Sequence, residues 1–408
     1  MFADARWAIN GTTDVIVDDY PLITDLLNSN YLDPDAPDST LYPDGMIMWN
    51  MRRGGSTVKE YRVNYFVPDN FDLTNFTGLT EKNAWVTVSG LKENGAGQFG
   101  RHAQRALIVK AMKVAIETNA ELREEQRVFT LIAAPGYPEL LAKMVALNNE
   151  RSNTAFIVGD TPLRLENTGT AITEWATNGG GFGVSAGDGL AVNDEYMSVF
   201  YPSGRTTDLT GTSIVMPASF MMLRTIIHSD EQSYPWLAPA GIRRGGIDNV
   251  NAIGYIDASS GEFKQILTRN AIRDVLYSNN VNPITFIPGS GITNYGNKTT
   301  ARNSALDRIN VARLIAYIRV QLDAIGKLYV FEPNDEITRS ELRAQVERML
   351  NNIVSKRGLY AYTVVADATN NTPARIDRNE LHLDLAIEPA KASEFIFIPL
   401  RILNSGEI

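Results

Sequence analysis

The chain has 408 residues, 44% of them hydrophobic and 21% charged, with a formal net charge of −9 at pH 7. This length exceeds one compact core, so we expect two or three domains. The acidic balance argues against general binding to nucleic acid or anionic membrane surfaces. The absence of cysteine excludes disulfides, thiolate nucleophiles and zinc–thiolate or iron–sulfur sites.

The amino-terminal residues carry no recognisable targeting signal. Residues 1–7 lack the basic and apolar regions of a signal peptide, and no stretch of the chain has the apolar length of a membrane-spanning helix. We therefore expect a soluble protein that is made inside a cell and does not insert into membranes.

Residues 1–66 are rich in turn-forming residues, and Lys59, Tyr61, Val63 and Tyr65 alternate with their neighbours. A period of two is typical of a β-strand. We interpret residues 1–66 as a β-rich outer segment that forms part of a larger domain.

Residues 67–230 alternate between helix-like and strand-like patterns. Short apolar runs predict buried strands at 128–133, 155–158 and 197–201. Helical spacing of apolar residues predicts helices over 101–124, 138–149, 170–177 and 216–227. Such alternation is typical of a parallel sheet covered by helices on both faces, so we predict a central α/β domain here.

Residues 231–408 are predicted to form a third region. Helices are expected over 268–278 and 305–325, a loop at 282–284 and a strand at 328–331. Thr338 and Glu341 predict a capping box at the start of a helix that ends near Gly358. Its spacing places Leu342, Val346, Met349, Leu350 and Ile353 on one apolar face.

The carboxyl-terminal residues predict two sheet strands. Leu381, Leu383, Leu385 and Ile387 alternate with polar or small residues, as in a half-buried strand. The Phe395–Ile398 run, with Phe395, Phe397 and Ile398, is apolar on both sides, as in an inner strand. The fold class is therefore α/β (α+β overall) and multidomain, and terminal strands of this kind suit pairing with another copy of the chain.

We find no pattern that predicts catalysis, a cofactor or a metal. The run from Gly289 to Thr299 resembles a phosphate loop, but Asn297 separates Gly296 from Lys298, and neither a preceding buried strand nor a following helix is predicted. The glycine-rich loop 179–189 lacks the strand–glycine–helix order of a dinucleotide site. His102, His228 and His382 lack metal-ligand spacing.

Six sequence motifs follow one another between residues 230 and 400. They are Trp236-Leu-Ala-Pro-Ala-Gly-Ile-Arg-Arg-Gly245, Ile272-Arg-Asp-Val-Leu-Tyr-Ser-Asn-Asn-Val-Asn-Pro-Ile284, Tyr295-Gly-Asn-Lys-Thr299, Asp307-Arg-Ile-Asn-Val-Ala-Arg313, Thr369-Asn-Asn-Thr-Pro373 and Ile376-Asp-Arg-Asn-Glu380. In their residues, order and spacing they resemble motifs of the contractile tail sheath proteins of large tailed bacteriophages.

The resemblance implies a structural protein of the virion tail, made in the host cytoplasm and not an enzyme. It implies hexameric rings stacked helically around a tail tube, with the tube, baseplate and tail terminator proteins as partners and no nucleic acid. Contraction would drive the tube through the host envelope. The subunits would be linked by exchanged terminal strands, for which we predict Leu381–Ile387 and Phe395–Ile402, approached through Asp367–Arg375.

Two further expectations accompany the resemblance. We expect a helix with Arg343, Arg348, Lys356 and Arg357 to face the tube through charge contacts. The family's amino-terminal Pro-Gly-hydrophobic-x-Glu arm is not visible here, which is expected either of a fragment of a longer protein or of a diverged arm. An α/β enzyme or nucleotide-binding protein, or a non-contractile virion or adhesin module, remains an alternative.

Overall fold

The computed structural model describes residues 101–394, with gaps at 125–126, 178–188, 191–192, 208, 210, 212, 258–262 and 303. The predicted segment 1–66, most of the glycine-rich loop and the predicted Phe395–Ile398 strand lie outside the described residues. Across the described part of the chain, no helix is both long enough and apolar enough to cross a lipid bilayer.

A five-stranded sheet lies at the centre of the molecule, in the order β1-β2-β3-β8-β9. The first four strands run parallel and β9 is antiparallel to β8. Their bounds are Leu131–Ile132 (β1), Phe156–Asp160 (β2), Met197–Tyr201 (β3), Val281–Ile287 (β8) and Gly291–Asn294 (β9). The predicted parallel sheet is therefore present, although β1 is shorter than the predicted strand 128–133.

Helices cover both faces of this sheet because successive side chains of its strands point to opposite sides. On one face, Ile157 and Val199 pack against α1, α2, α3 and α6. On the other, Phe156 and Phe200 pack against α4 and α7. These helices are Arg101–Thr118 (α1), Leu141–Glu150 (α2, after a 3-10 turn at Pro138–Leu140), Gly169–Thr177 (α3), Ala218–Gln232 (α4), Asn270–Ser278 (α6) and Ile309–Gly326 (α7).

A second, antiparallel sheet adjoins the first and was not predicted. Its strand order is β5-β4-β6-β7. The strands are Ser203–Thr207 (β4), Ser213–Met216 (β5), Ala252–Ile256 (β6) and Phe263–Gln265 (β7), and the short helix Gly241–Arg244 (α5) lies between β5 and β6 in the chain. Met216, predicted to begin a helix, instead ends β5, and α4 begins at Ala218.

The helix α7 is enclosed by two different cores. Ile309, Ala312 and Ala316 belong to the core beneath the central sheet, whereas Leu314 and Ile318 belong to a separate carboxyl-terminal core. The Arg313 side chain on this helix is 4% exposed and forms an ion pair with Asp230 at the end of α4. The sequence predicted one apolar side of this helix, but the helix is buried on two.

The carboxyl-terminal core joins α7 to α8 (Glu336–Ser355) and to a two-stranded antiparallel sheet of β10 (Leu359–Val365) and β11 (Asp384–Pro389). The predicted apolar face of α8 is present: Leu342, Val346, Leu350 and Ile353 are buried and Met349 is partly buried. The short helix α9 (Pro373–Ile376) lies in the connection from β10 to β11.

Three local predictions in this region are wrong. Residues 328–331 form turns rather than a strand, with Phe331 fully exposed and in the left-handed region at φ +73°. Residues 282–284 lie inside β8 rather than in a loop. The amino-terminal cap of α8 is Asp335, whose side chain accepts from the Thr338 amide at 2.8 Å. Aspartate and threonine are both favoured amino-terminal caps, because their side-chain oxygens accept a hydrogen bond from a free amide in the first turn. Asp335 has this role here, and Thr338 supplies the amide.

The central sheet takes strands from both sides of residue 230, the predicted boundary between the second and third regions. The division into regions 1–66, 67–230 and 231–408 stays a prediction. The structure shows that two strands of the central sheet, β8 and β9, come from the third of these regions.

Candidate assembly surface

The sheet of β10 and β11 presents backbone for further pairing. Residues 361–365 pair in register with 384–388, from Ala361 opposite Glu388 to Val365 opposite Asp384, with an irregularity next to Leu359. In the described part of the chain this sheet has two strands, so each strand has one edge without a ladder partner there. An open edge offers N–H and C=O groups that an added strand can bind.

The predicted leucine face of the carboxyl-terminal strand packs inward on its own subunit. Leu381, Leu383, Leu385 and Ile387 are partly buried against the carboxyl-terminal core. Asp384, Ala386 and Glu388 are exposed. The strand begins at Asp384, so Leu381 and Leu383 precede the ladder. Phe395, Phe397 and Ile398 lie outside the described residues.

This pairing changes the role that Leu381–Ile387 can take between subunits. All of β11 is paired with β10 of the same chain, so donating it to a neighbour would break an existing ladder. Its outer edge has no ladder partner among the described residues. The prediction that these residues link subunits is untested, but their geometry suits accepting a strand rather than donating one.

Two buried asparagines hold the connection between β10 and β11. The Asn371 side chain accepts from the His382 amide at 2.7 Å and donates to the His382 carbonyl at 2.8 Å. Asn370 donates to the Val365 carbonyl at 2.8 Å. These bonds take the place of ladder bonds just before β11 begins, so the predicted approach segment Asp367–Arg375 is bound to its own subunit.

A charged cluster lies at the end of this connection. Arg378 Nε is 2.8 Å from Glu380 Oε1, and His382 Nε2 is 3.0 Å from Glu380 Oε2. The bond from Arg378, followed by that from His382, lowers the pKa of Glu380 to about 2. These ion pairs lie on an exposed surface, where such pairs add little stability.

Trp236 fixes the segment Trp-Leu-Ala-Pro-Ala-Gly, the first of the motifs given above, to the carboxyl-terminal core. Its ring stacks on Tyr234 at 5.1 Å between centroids and meets Tyr317 edge-on at 5.3 Å. Its Nε1–H donates to the Lys356 carbonyl at 3.1 Å, just beyond the end of α8. Gly358 approaches the indole so closely that an added Cβ would lie 3.0 Å from Trp236 Cδ1.

The four predicted basic residues do not form one row along α8. Arg343 and Arg348 are five residues apart, or about 140° around the helix axis. Arg343 pairs with Glu347 at 2.8 Å, and Lys356 lies 4.8 Å above the Tyr234 ring. The helix Glu336–Ser355 itself carries three arginines and three glutamates, so the basic excess comes from Lys356 and Arg357 beyond its end.

In the loop from Gly289 to Thr299, which resembles a phosphate loop in sequence, the lysine has a structural role. A buried strand, β8, does precede this loop, contrary to prediction. Lys298 Nζ donates to the Tyr277 carbonyl at 2.7 Å and lies 4.3 Å from the centroid of the Tyr277 ring. Burial, followed by the nearby Arg308 charge, lowers the pKa of Lys298. The lysine thus joins the loop to the end of α6.

The carboxyl-terminal part of the chain is similar to known proteins. Residues 301–402 match the family model of the phage tail sheath C-terminal domain. The tail sheath protein of Vibrio phage KVP40 is 39% identical over 170 residues, which are 41% of this chain and 24% of that protein. The tail sheath protein of Enterobacteria phage T4 is 39% identical over 169 residues, again 41% and 24%. The chain spans about a quarter of the length of these relatives.

The fold matches a solved contractile assembly. The sheath complex of the extracellular contractile injection system PVC, in its contracted state, superimposes with a TM-score of 0.55 at 19% identity. The match covers 72% of this chain and 74% of that one. A match over 72% of the chain is longer than the segment 301–402 that the family model covers.

Proposed function

We propose that this chain, whose residues 301–402 form a phage tail sheath C-terminal domain, is a structural subunit of a contractile tail sheath and not an enzyme. In this proposal it polymerises as stacked hexameric rings around a tail tube in the virion. Its partners are further copies of itself and the tube, baseplate and tail terminator proteins. Contraction of the sheath drives the tube through the host envelope.

The observation that carries the proposal is the two-stranded sheet on α8 in a domain of this family. The edges of this sheet offer N–H and C=O groups for main-chain hydrogen bonds. Its inward-facing leucines hold one face of the sheet against the core of its own subunit. Strand addition at such an edge combines affinity with register. We propose that Phe395–Ile402 of one copy adds to the β10–β11 sheet of another.

Strand exchange of this kind suits a subunit that moves as a rigid body. Links made of main-chain hydrogen bonds keep neighbours connected while packed domains rotate against each other. The energy for contraction then lies in the difference between two packings of the same subunits. The two cores that share α7 make each subunit one packed unit across its central and carboxyl-terminal sheets.

Removing residues 395–408 tests the proposal directly. We expect the full chain to form hollow striated tubes in negative-stain electron microscopy, and the shortened chain to stay dispersed because it has no strand to donate. Circular dichroism and the urea unfolding midpoint of the shortened chain should match those of the full chain, because β11 and the described residues of its core all precede residue 395. Tubes formed equally well by the shortened chain would refute strand donation.

The tube-facing role of the basic residues is a separate proposal. We propose that Arg343, Arg348, Lys356 and Arg357 contact an acidic surface of the tube in the extended state. Replacing all four by glutamate should abolish tube-dependent assembly while the subunit stays folded, since Arg343, Arg348 and Arg357 are exposed and surface charges act mainly on association.

A control variant tests whether a charge change elsewhere on the same helix also affects assembly. Replacing Glu336 and Glu341 on the same helix by glutamine changes its charge without touching the four basic residues. Co-sedimentation with purified tail tubes measures both variants. The proposal is wrong if the fourfold glutamate variant still assembles on tubes as the parent does.

A further inference from the structure

The segment that follows β11 does not lie free after the last ladder pair. The Ala390 amide donates to the Gly358 carbonyl at 3.0 Å, and Asn310 Nδ2 donates to the Ala390 carbonyl at 3.3 Å. The chain is therefore carried from the small sheet towards the amino-terminal end of α7.

Glu394 is held at the end of this path by two residues of distant parts of the chain. Its carboxylate accepts from Arg308 Nε at 2.5 Å and from Arg308 NH2 at 3.2 Å, in a bidentate pair. It also accepts from the Tyr277 hydroxyl at 2.6 Å. The Glu394 side chain is 17% exposed, so the pair is shielded from water and firmer than a surface pair.

Both partners lie in or next to elements of the central α/β layer, α6 and α7. Tyr277 lies in the last turn of α6, directly before β8. Arg308 precedes α7 and also pairs with Asp307 at 2.7 Å. Burial and the bond to Glu394 raise the pKa of Tyr277, so its hydroxyl keeps the proton that it donates.

The position of Glu394 matters for how force enters the subunit. Pro389, opposite Leu359, is the last paired residue of β11. Tension applied beyond that end would reach the ladder first at this last pair if the chain were held nowhere else. A fixed point five residues further along the chain receives the tension first.

We propose that the contact of Glu394 with Arg308 and Tyr277 is a mechanical anchor for the carboxyl-terminal segment. It fixes the chain one residue before Phe395–Ile402 and transfers load from that segment to the central core rather than to β11. This inference rests on the proposed exchange of Phe395–Ile402 between copies of this chain. In this anchor, Arg308 and Tyr277 hold the Glu394 side chain in place.

Glu394→Gln tests the anchor in the full chain. It keeps the size of the side chain but removes the charge that binds Arg308. Amide hydrogen exchange at Ala390 of the unassembled subunit, whose amide donates to the Gly358 carbonyl, should become at least about tenfold faster, because bonds to a charged group hold the segment after β11 closed. Exchange in β2 and β3 should stay unchanged. Tubes of this variant should dissociate at a lower urea concentration than tubes of the parent.

Glu388→Gln is the matched control, since it makes the same chemical change on the exposed side of β11. It should alter neither exchange nor tube resistance to urea. The anchor is refuted if Glu394→Gln leaves exchange unchanged, if the control loosens the segment equally, or if the variant tubes resist urea as the parent tubes do. If the parent chain forms no tubes at all, the proposed function fails instead, and the exchange measurement still decides whether the contact holds the segment.

Discussion

Replacing Trp236 by alanine is expected to lower the free energy of unfolding by about 4 kcal/mol, in the range of buried tryptophan truncations. The indole is 5% exposed and contacts Tyr234, Tyr317 and the end of α8. Its loss leaves a cavity at the point where the segment before α5 meets the carboxyl-terminal core. Urea unfolding followed by circular dichroism measures the change.

Trp236→Phe separates packing from hydrogen bonding. The phenyl ring retains the stack on Tyr234 but cannot donate to the Lys356 carbonyl, so we expect a cost of about 1–2 kcal/mol. Hydrogen exchange should place the damage in α8 and β10 and leave β2 and β3 protected. An alanine variant as stable as the parent would show that Trp236 does not support this core.

Replacing Asp160 by alanine is expected to cost about 3 kcal/mol, because buried donors lose their acceptor. Asp160 ends β2 and is 2% exposed. Its carboxylate accepts from the Gly136 amide at 2.6 Å, the Ser219 amide at 2.6 Å and the Ser219 hydroxyl at 2.7 Å. It thus joins the loop after β1 to the first turn of α4.

Ser219→Ala is the control for this site, since it removes the hydroxyl bond and leaves both amide bonds, at an expected cost of about 1 kcal/mol. The measurement is again the free energy of unfolding in urea. Equal losses in the two variants would show that the amide bonds to Asp160 contribute nothing.

The effect of Asp160→Ala should also depend on pH. Burial raises the pKa of Asp160 to about 6 against the opposing effect of its three hydrogen bonds. A carboxyl group with a higher pKa in the folded than in the unfolded state stabilises most when protonated, and this contribution is lost as the pH rises from about 4 through about 6. The cost of Asp160→Ala should therefore be larger at pH 4 than at pH 7.5. The opposite trend would show that the hydrogen bonds outweigh burial.

Local patterns correctly predicted the strands β2 and β3 and the buried face of α8. The apolar runs around Ile157 and Val199 are buried on both sides of a parallel sheet, as expected. The spacing of Leu342, Val346, Leu350 and Ile353 correctly predicted the buried face of α8. These features were predictable because a hydrophobic period of two or 3.6 residues can be recognised from residues that are close together in the sequence.

Local patterns did not predict elements that are stabilised by residues distant in the sequence. Asn282 and Pro283 read as a loop, yet they lie in β8. The Asn282 amide is satisfied there by the carbonyls of Val199 and Lys298. The apolar run 328–331 read as a strand, yet in the described structure it joins no ladder. A polar residue in a strand and an apolar residue in a turn are both decided by neighbours that a local window does not contain.

The amino-acid sequence by itself determined the α/β class, most helices and the resemblance to sheath proteins between residues 230 and 400, because periodicity and motif order are properties of the chain. The tertiary structure decided that β11 is already paired with β10 of the same chain. It alone placed Glu394 against Tyr277, 117 residues away, and Arg308, 86 residues away. Hydrogen bonds across such separations depend on how packed elements meet in space, and no spacing along the chain encodes them.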